Sequence, residues 1–313
     1  MKKLLFICVI QISFFLIIHQ AVLADNNNHP RIVGGIASQN GEWLFMAALV
    51  DAYGEPDCGA TLIHSQWVVT AAHCVEGHSE TWVSTDHFNV VIGMTDVSLN
   101  QASYTYEIEQ IIPHPDYDSY LVDNDIALLK LKTSVPSTFP PIKIFKGDVS
   151  GLTGIVLGWG NMIQSNPDDP SNPSYTPSYP DQLRQVSVPV VDVETCAEST
   201  HYQITENMFC AGYPQGQKDA CDGDSGGPFV VYSNNQWKLA GIVSWGEGCA
   251  WPGYFGFYTR VPNYAEFIKN YVPYIEIQGD FNNDDQIDGK DVLMIMKHLS
   301  GIESENSNIR YLK

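Results

Sequence analysis

Basic residues are scarce in this sequence, and their scarcity limits the partners that it can bind. Only 16 of its 313 residues are Lys or Arg, against 36 Asp or Glu, so the formal net charge is -20 at pH 7. Because such a surface repels polyanions, nucleic acid and anionic membrane surfaces are excluded as partners. A cationic substrate or a divalent cation suits this charge better. The 44% hydrophobic residues suffice to fill a sizeable core.

Long apolar runs are scarce as well. The stretch from Leu4 to Ile18 is the most apolar one, and its fifteen residues fall short of the roughly 20 that span a bilayer. It follows Lys2 and Lys3 and precedes small residues that end at Ala24. This order predicts a secretory signal peptide, residues 1–24, and hence an extracellular protein without a membrane attachment after cleavage. The alternative is an uncleaved membrane anchor.

The cysteines show no C-x-x-C spacing, which argues against a set of free or metal-binding thiols. Cys8 leaves with the signal peptide, so an even number remains. In an oxidising compartment three disulfides are the default, although the count alone leaves 15 pairings open. The six remaining cysteines are Cys58, Cys74, Cys196, Cys210, Cys221 and Cys249.

From residue 32 to about residue 261, short β-rich runs alternate with Gly, Pro, Asn and Asp. This pattern predicts an all-β fold, built as an antiparallel sandwich or barrel. Residues 164–181 are rich in Pro, Ser, Asn and Asp, and this composition predicts a long polar surface loop. Near the end of this region, apolar side chains recur at helical spacing until Pro273 stops the helix. These side chains are Tyr264, Phe267, Ile268 and Tyr271.

Three stretches carry the groups that hydrolysis by a serine requires, namely a base, a carboxylate that holds it and an exposed hydroxyl. His73 follows a β-rich run, Asp125 precedes an apolar run, and Ser225 lies among glycines. Those glycines let backbone N–H groups approach a substrate carbonyl. Taken singly, His73 could be a core histidine, Asp123 could be the carboxylate instead of Asp125, and Ser225 could belong to a plain turn.

Together with residues 31–35, Arg-Ile-Val-Gly-Gly, these stretches resemble the trypsin-like, chymotrypsin-fold secreted serine proteases. The resemblance covers about residues 31–272. It implies two six-stranded antiparallel β-barrels with a C-terminal helix, in a protease domain of residues 32–275. Catalysis in this family needs no cofactor, and the expected substrates are proteins or peptides.

The resemblance also implies a role for each catalytic group. His73 is expected to act as general base and acid, Asp125 to orient it, and Ser225 to be the nucleophile. The N–H groups of Gly223 and Ser225 are expected to bind the oxyanion. Because His73 must be neutral to accept a proton, a neutral to mildly alkaline optimum is expected.

Activation and specificity are likewise implied by the resemblance. Residues 25–31 are expected to be a propeptide cut after Arg31, after which the new ammonium group of Ile32 pairs with Asp224. Asp219 is expected at the base of a pocket that prefers Arg or Lys on the N-terminal side of the cleaved bond (P1). Other expected binding residues are Ala220, Ser244, Trp245, Gly246 and Gly256, and the implied disulfides are Cys58–Cys74, Cys196–Cys210 and Cys221–Cys249.

Residues 276–313 differ abruptly in composition, with oxygen-bearing side chains at alternating positions before an apolar run. The segment resembles a single dockerin-type, EF-hand-like repeat, which implies bound Ca²⁺ and a cohesin-like partner. The alternative is a solvated acidic tail. For the whole chain, the alternatives to a monomeric protease are a catalytically silent binding protein and a calcium-dependent extracellular scaffold component. The expected calcium ligands are Asp280, Asn282, Asp284, Gln286, Asp288 and Asp291.

Overall fold

The computed structural model describes most of the region between residues 32 and 273. The predicted signal peptide, the propeptide with Arg31 and all six predicted calcium ligands lie outside the described residues. Five positions of the C-terminal segment are described, and all five are helical. The described residues are 32–51, 53–76, 88–99, 103–163, 176–273, 289–290, 292–293 and 296.

The protein is built mainly of β-strands, as the sequence predicted. The strands are β1 (Ile36–Ala37), β2 (Met46–Val50), β3 (Pro56–His64), β4 (Trp67–Thr70), β5 (Asn89–Ile92), β6 (Thr105–Pro113), β7 (Ala127–Leu131), β8 (Lys143–Ile144), β9 (Thr153–Gly158), β10 (Arg184–Pro189), β11 (Met208–Ala211), β12 (Pro228–Ser233), β13 (Gln236–Gly246) and β14 (Gly256–Arg260). The helices are α1 (Val193–Glu198) and α2 (Ala265–Tyr271), with 3₁₀ turns at His73–Val75 and Val261–Tyr264.

Six strands of the first half close into an antiparallel barrel in the order β2-β3-β4-β7-β6-β5. Strand β2 is apolar throughout and all five of its residues are buried, because it pairs with β3 on one side and β5 on the other. The buried side chains Leu49, Leu62 and Leu128 belong to the core of this half. The predicted first barrel is therefore confirmed.

The second half forms an eight-stranded sheet in the order β1-β10-β9-β12-β13-β14-β11, with β8 beside β13. The expected second closed six-stranded barrel is not confirmed. Strand β10 approaches β11 only through an isolated bridge between Val190 and Ala211 among the described residues. The ladder stops there because Asp192 caps α1, accepting a hydrogen bond from the Thr195 N–H at 2.9 Å, and the chain turns away as a helix.

Aromatic side chains pack the second half, and the C-terminal helix closes the domain. The rings of Phe209, Phe229 and Tyr258 lie 5.0 to 5.2 Å apart in a buried cluster. Helix α2 buries Ile268 and ends two residues before Pro273, so the predicted helix is confirmed. In the described part of the chain, no helix is both long and apolar enough to cross a bilayer.

Three disulfides join the six described cysteines in the pairing that the resemblance implied. Cys58–Cys74 ties β3 to the 3₁₀ turn that begins at His73, and Cys196–Cys210 ties α1 to β11. Cys221–Cys249 ties the segment before Ser225 to the loop after β13. Each closes a loop of 14 to 28 residues and contributes about 3 kcal/mol in the chain-entropy account. Two of the three therefore brace segments that carry predicted site residues.

Candidate active site

The site begins with a contact between His73 and Asp125. His73 lies in the 3₁₀ turn after β4, and its Nδ1 atom is 2.8 Å from Asp125 Oδ2. Its backbone N–H donates to Asp125 Oδ1 at 2.9 Å. With Nδ1 as the donor to the carboxylate, Nε2 carries the lone pair and can accept a proton. The two contacts fix both the tautomer and the orientation of the ring.

The carboxylate of Asp125 is buried, and the second half of the protein supplies further donors to this residue. The hydroxyl of Ser244 on β13 donates to Asp125 Oδ2 at 2.5 Å. The hydroxyl of Thr259 on β14 donates to the backbone carbonyl of Asp125 at 2.7 Å. Because a buried charge is costly unless it is paired and hydrogen-bonded, the Ser244 hydroxyl stabilises the carboxylate, and the Thr259 hydroxyl fixes the backbone that carries it. The sequence indicated neither contact.

Asp123, the competing carboxylate, does not contact His73. Its Oδ1 atom accepts hydrogen bonds from the hydroxyl of Thr205 at 2.6 Å and from Asn207 Nδ2 at 3.1 Å. The structure therefore resolves the choice that the sequence had left open, and Asp125 is the partner of the imidazole.

Ser225 lies in the tight turn that leads into β12. This turn packs against β3 and the Cys58–Cys74 disulfide, which lies beside His73. The carbonyl of Ser225 accepts the Gly59 N–H at 2.7 Å, and the next N–H, that of Gly226, donates to Val243 at 2.8 Å. Gly226 has φ +77, and a Cβ there would meet Thr70 Oγ1 at 2.2 Å. Only glycine allows so close an approach between the two halves.

The hydrogen bond between serine and histidine is not formed in this structure. Among the described residues, the Ser225 hydroxyl makes no hydrogen bond to His73, whose Nε2 atom faces Cys74 Sγ at 3.7 Å. Such bonds are often long in an unliganded site and tighten when substrate binds. The structure thus joins the imidazole and the carboxylate and places the hydroxyl in the neighbouring turn.

Two backbone N–H groups of the serine turn are available to a ligand. Within the described part of the chain, neither the Gly223 N–H nor the Ser225 N–H donates a hydrogen bond. Gly223 has φ +91, where a Cβ would meet Gly160 at 3.2 Å. This left-handed conformation is one that glycine adopts readily.

A pocket of about 270 Å³ opens beside Ser225. Its floor is Asp219, which is 4% exposed. Asp219 Oδ2 accepts the Ala250 N–H at 3.0 Å, whereas Oδ1 has no hydrogen-bond partner among the described residues. Burial raises the pKa of Asp219 to about 7, and the hydrogen bond from the Ala250 N–H opposes this rise. An unpaired buried carboxylate oxygen is the natural counterpart of a cation.

The predicted binding residues line this pocket. Its two predicted glycines differ in how much room a side chain would have. A Cβ on Gly256 would lie 2.7 Å from Asp219 Oδ1 and block the floor, whereas one on Gly246 would meet no atom closer than 3.6 Å. Open access to the floor therefore depends on Gly256. The other predicted residues on the wall are Ala220, Ser244 and Trp245.

The carboxylate of Asp224 is fully buried beneath the serine turn and is held by backbone groups. Its Oδ1 atom accepts the Gly160 N–H at 2.8 Å, and its Oδ2 atom accepts the Cys221 N–H at 2.9 Å. Burial raises its pKa to about 7. Ile32 is fully buried in the core of the second half, and the adjacent Val33 carbonyl accepts the Asp219 N–H at 3.1 Å. The first two residues of the domain, Ile32 and Val33, are thus buried near the pocket in the uncut chain.

A comparison with known protein families assigns the chain to one of them. The family model described as Trypsin matches residues 32–268. The chain belongs to the trypsin family. Its trypsin-like serine protease domain therefore includes His73, Asp125 and Ser225, and proteases of this family need no cofactor for catalysis.

Two relatives of this trypsin-family chain are the vitamin K-dependent proteins C of mouse and rat. The protein of Mus musculus is 37% identical over 252 residues, which make up 78% of this chain and 52% of that protein. The protein of Rattus norvegicus is 35% identical over the same length and with the same coverage. The chain thus spans about half the length of the curated relatives it matches.

Two groups in the trypsin-family domain bring Cys, His or Asp close enough to hold a metal, counting the described residues alone. The cysteines of both are joined in disulfides, so no thiolate is available as a ligand. Neither group fits a metal centre. Their members are Cys58, His73 and Cys74 in one, and Cys221, Asp222 and Cys249 in the other.

The electrostatic surroundings of His73 favour its protonated form. Burial lowers the pKa of the imidazole, but the hydrogen bond and the charge of Asp125 outweigh it, with smaller contributions from the charges of Glu76 and Asp57. The net effect is a pKa raised above 6.5. Because the base must be neutral, His73 in this trypsin-family domain needs a higher pH for deprotonation than an ordinary histidine.

We therefore expect the imidazole of His73 to titrate with a midpoint above pH 6.5. Replacing Glu76 by Gln removes one charge that stabilises the imidazolium, so the midpoint should fall. Histidine-selective NMR, assigned with a His73→Gln variant, measures both. A Glu55→Gln variant is the matched control and should leave the midpoint in place. A midpoint that does not move in Glu76→Gln contradicts this account of the site.

Proposed function

We propose that this protein is a secreted serine endopeptidase that cleaves after Arg or Lys through an acyl-enzyme. One observation carries the proposal: a buried carboxylate–imidazole pair lies next to a serine turn, and that turn borders a pocket with an unpaired carboxylate oxygen at its floor. The first feature supports proton abstraction from a hydroxyl, and the second supports recognition of a cationic side chain.

In the proposed reaction, Ser225 Oγ attacks the substrate carbonyl while His73 Nε2 takes its proton. The positive charge that forms on the imidazole is stabilised by Asp125, whose carboxylate stays ionised. The developing oxyanion is bound by the unused N–H groups of Gly223 and Ser225. His73 then protonates the leaving amine, and water releases the acyl group by the reverse sequence.

The specificity follows from the floor of the pocket. A substrate guanidinium can donate two hydrogen bonds to the carboxylate of Asp219, a geometry that an ammonium group cannot match. Ala220 lacks a hydroxyl that could help to hold a compact ammonium, which supports some preference for Arg over Lys. The segment Ser244–Trp245–Gly246 at the end of β13 is available to pair with an extended peptide as an added strand.

Activation is proposed to depend on the charge of the new N-terminus. In the uncut chain the Ile32 nitrogen is an amide and carries no charge. Cleavage after Arg31 creates an ammonium group in a segment whose side chain is already buried, and Asp224 is the proposed partner. An ion pair at that position offsets part of the cost of burying the carboxylate, so it stabilises the serine turn.

The C-terminal segment is proposed to bind calcium and a cohesin-like partner, outside the protease domain. The donors at its loop positions 1, 3, 5, 7, 9 and 12 are carboxylate, amide and backbone oxygens, which is the ligand chemistry that Ca²⁺ prefers. Calcium there has no step in peptide hydrolysis. We further propose that the protein is exported after removal of residues 1–24 and acts as a monomer.

The proposed function is tested with chromogenic peptides that carry Arg, Lys or an apolar residue at P1. We expect Ser225→Ala to lower kcat by about 10⁴- to 10⁶-fold, since the nucleophile is lost. Asp219→Ser should lower kcat/KM for the Arg peptide by about 10²- to 10³-fold, because a buried charge pair is lost. Asp222→Ser is the matched control, with an exposed carboxylate beside the same pocket, and should retain the preference for Arg.

Circular dichroism of both samples establishes that Ser225→Ala is folded like wild type, and an active-site titrant counts the reactive serines of wild type. Wild-type protein that fails to cleave any of these peptides after activation contradicts the proposed activity. Cleavage by Asp219→Ser at the wild-type rate contradicts the proposed specificity alone.

Activation is tested by replacing Arg31 with Gln. We expect this variant to keep Asp25 as its N-terminus and to show less than about 1% of the activity, because the ammonium group of Ile32 never forms. His29→Gln, which alters the propeptide but not the cleavage site, should be processed normally. N-terminal sequencing and peptide hydrolysis measure the outcome. A fully active protein that begins at Asp25 excludes this mechanism.

Calcium binding is tested by calorimetry on the full chain. We expect uptake of about one Ca²⁺ per chain, lost when Asp280 and Asp284 are both replaced by Ala, because two ligands of one loop are removed. Asp285→Gly is the matched control, because it changes the same loop at a position that supplies no ligand. Absence of uptake by the wild-type chain, or uptake unchanged in the double variant, rules out the proposed calcium loop.

A further inference from the structure

The segment immediately before Asp125 is strained. Val122 has φ 53 and Asn124 has φ 55, so two of the three residues that precede Asp125 lie in the left-handed region. Asn tolerates this region, but a β-branched valine is strained in it. Such a conformation persists only where surrounding contacts hold it.

The side chain of Asp123, between these two residues, supplies two of those contacts. Its Oδ1 atom accepts the Thr205 hydroxyl at 2.6 Å and Asn207 Nδ2 at 3.1 Å, across 82 and 84 residues of sequence. Both partners lie in the loop between α1 and β11, which belongs to the second half of the protein. Asp123 therefore clamps the strained segment onto the opposite half.

The neighbouring Asn124 extends this clamp. Its Nδ2 atom donates to the Asp116 carbonyl at 2.9 Å and to Asp123 Oδ2 at 3.1 Å. Its Oδ1 atom accepts the Tyr264 hydroxyl at 3.2 Å. The backbones of Asp118 and Asp123 also exchange two hydrogen bonds, of 3.0 and 3.1 Å. Every polar atom in these two side chains is thus directed at a neighbouring segment.

We propose that Asp123 is a positioning residue, whose contacts with Thr205 and Asn207 hold the strained turn so that Asp125 points at His73. The inference rests on the proposed function for its effect on turnover. It also predicts a change in the imidazole itself, which can be measured whether or not the protein hydrolyses peptides.

The main experiment replaces Asp123 by Ala and measures kcat and KM for a minimal Arg substrate, per active site titrated. We expect kcat to fall by about 10- to 100-fold, as for a misplaced catalytic group. KM should change by less than about 2-fold, because Asp219 is untouched. A variant that was merely less stable would lose active sites and not turnover per site.

The titration of His73 gives the second readout. Asp125, Glu76 and Asp57 are the charged groups that raise the pKa of this imidazole. If Asp125 is misaligned while the other two charges remain, the midpoint should move to lower pH in Asp123→Ala. Histidine-selective NMR detects the shift without any substrate.

Three further variants separate geometry from charge. Asp116→Asn removes a charge from the same loop without removing a side-chain contact of Asp123, and it should behave as wild type. Asp123→Asn keeps an acceptor oxygen of the same shape, so it should restore much of the kcat lost in Asp123→Ala. Thr205→Val removes the donor at the other end, and its effect on kcat should be less than additive with that of Asp123→Ala.

The proposal is overturned if Asp123→Ala retains kcat per titrated site within about 2-fold of wild type, or if the His73 midpoint stays in place. A loss confined to KM overturns it too, because that result assigns Asp123 to substrate binding. Wild-type protein without hydrolytic activity contradicts the proposed function instead, and the NMR midpoint then decides the role of Asp123 alone.

Discussion

The buried contact between Asp125 and His73 is the interaction on which the site depends. A carboxylate removed from water is costly, and it is tolerated here because donors surround it. The first half supplies two of these donors through His73, and the second half supplies the hydroxyl of Ser244. The hydroxyl of Thr259, also in the second half, binds the backbone carbonyl of the same Asp125. The carboxylate is therefore satisfied only when the two halves are docked. The site is therefore completed by the same docking of the two halves that completes the fold.

The sequence predicted those parts of the molecule that depend on local patterns. Alternating β-rich runs predicted the strands of the first barrel, the spacing from Tyr264 to Tyr271 predicted α2, and a residue-by-residue family resemblance identified Asp125 as the partner of His73. The expected closure of the second barrel is not confirmed, and the chain turns into helix α1 at Asp192, directly after the bridge between β10 and β11. Local helix capping competed there with a long-range ladder.

Contacts across long sequence separations could not be predicted. Ser244 reaches Asp125 across 119 residues, and Thr205 reaches Asp123 across 82. No periodicity in the sequence encodes such pairs, because each depends on how two independently formed segments pack. The hydrogen-bond partners of Asp224 could not be predicted either, because they are the backbone N–H groups of Gly160 and Cys221 and not side chains.

The Asp219 oxygen at the floor of the pocket, which has no hydrogen-bond partner among the described residues, has a thermodynamic consequence. With a pKa of about 7 in the empty pocket, Asp219 is partly protonated in neutral solution. A bound cation favours the ionised form, so ligand uptake near neutrality is coupled to proton release into the buffer. Acidification then weakens ligand affinity through the floor of the pocket, independently of any loss of the free base at His73. At acidic pH, protonation of Asp219 thus weakens ligand binding, and protonation of His73 separately removes the base.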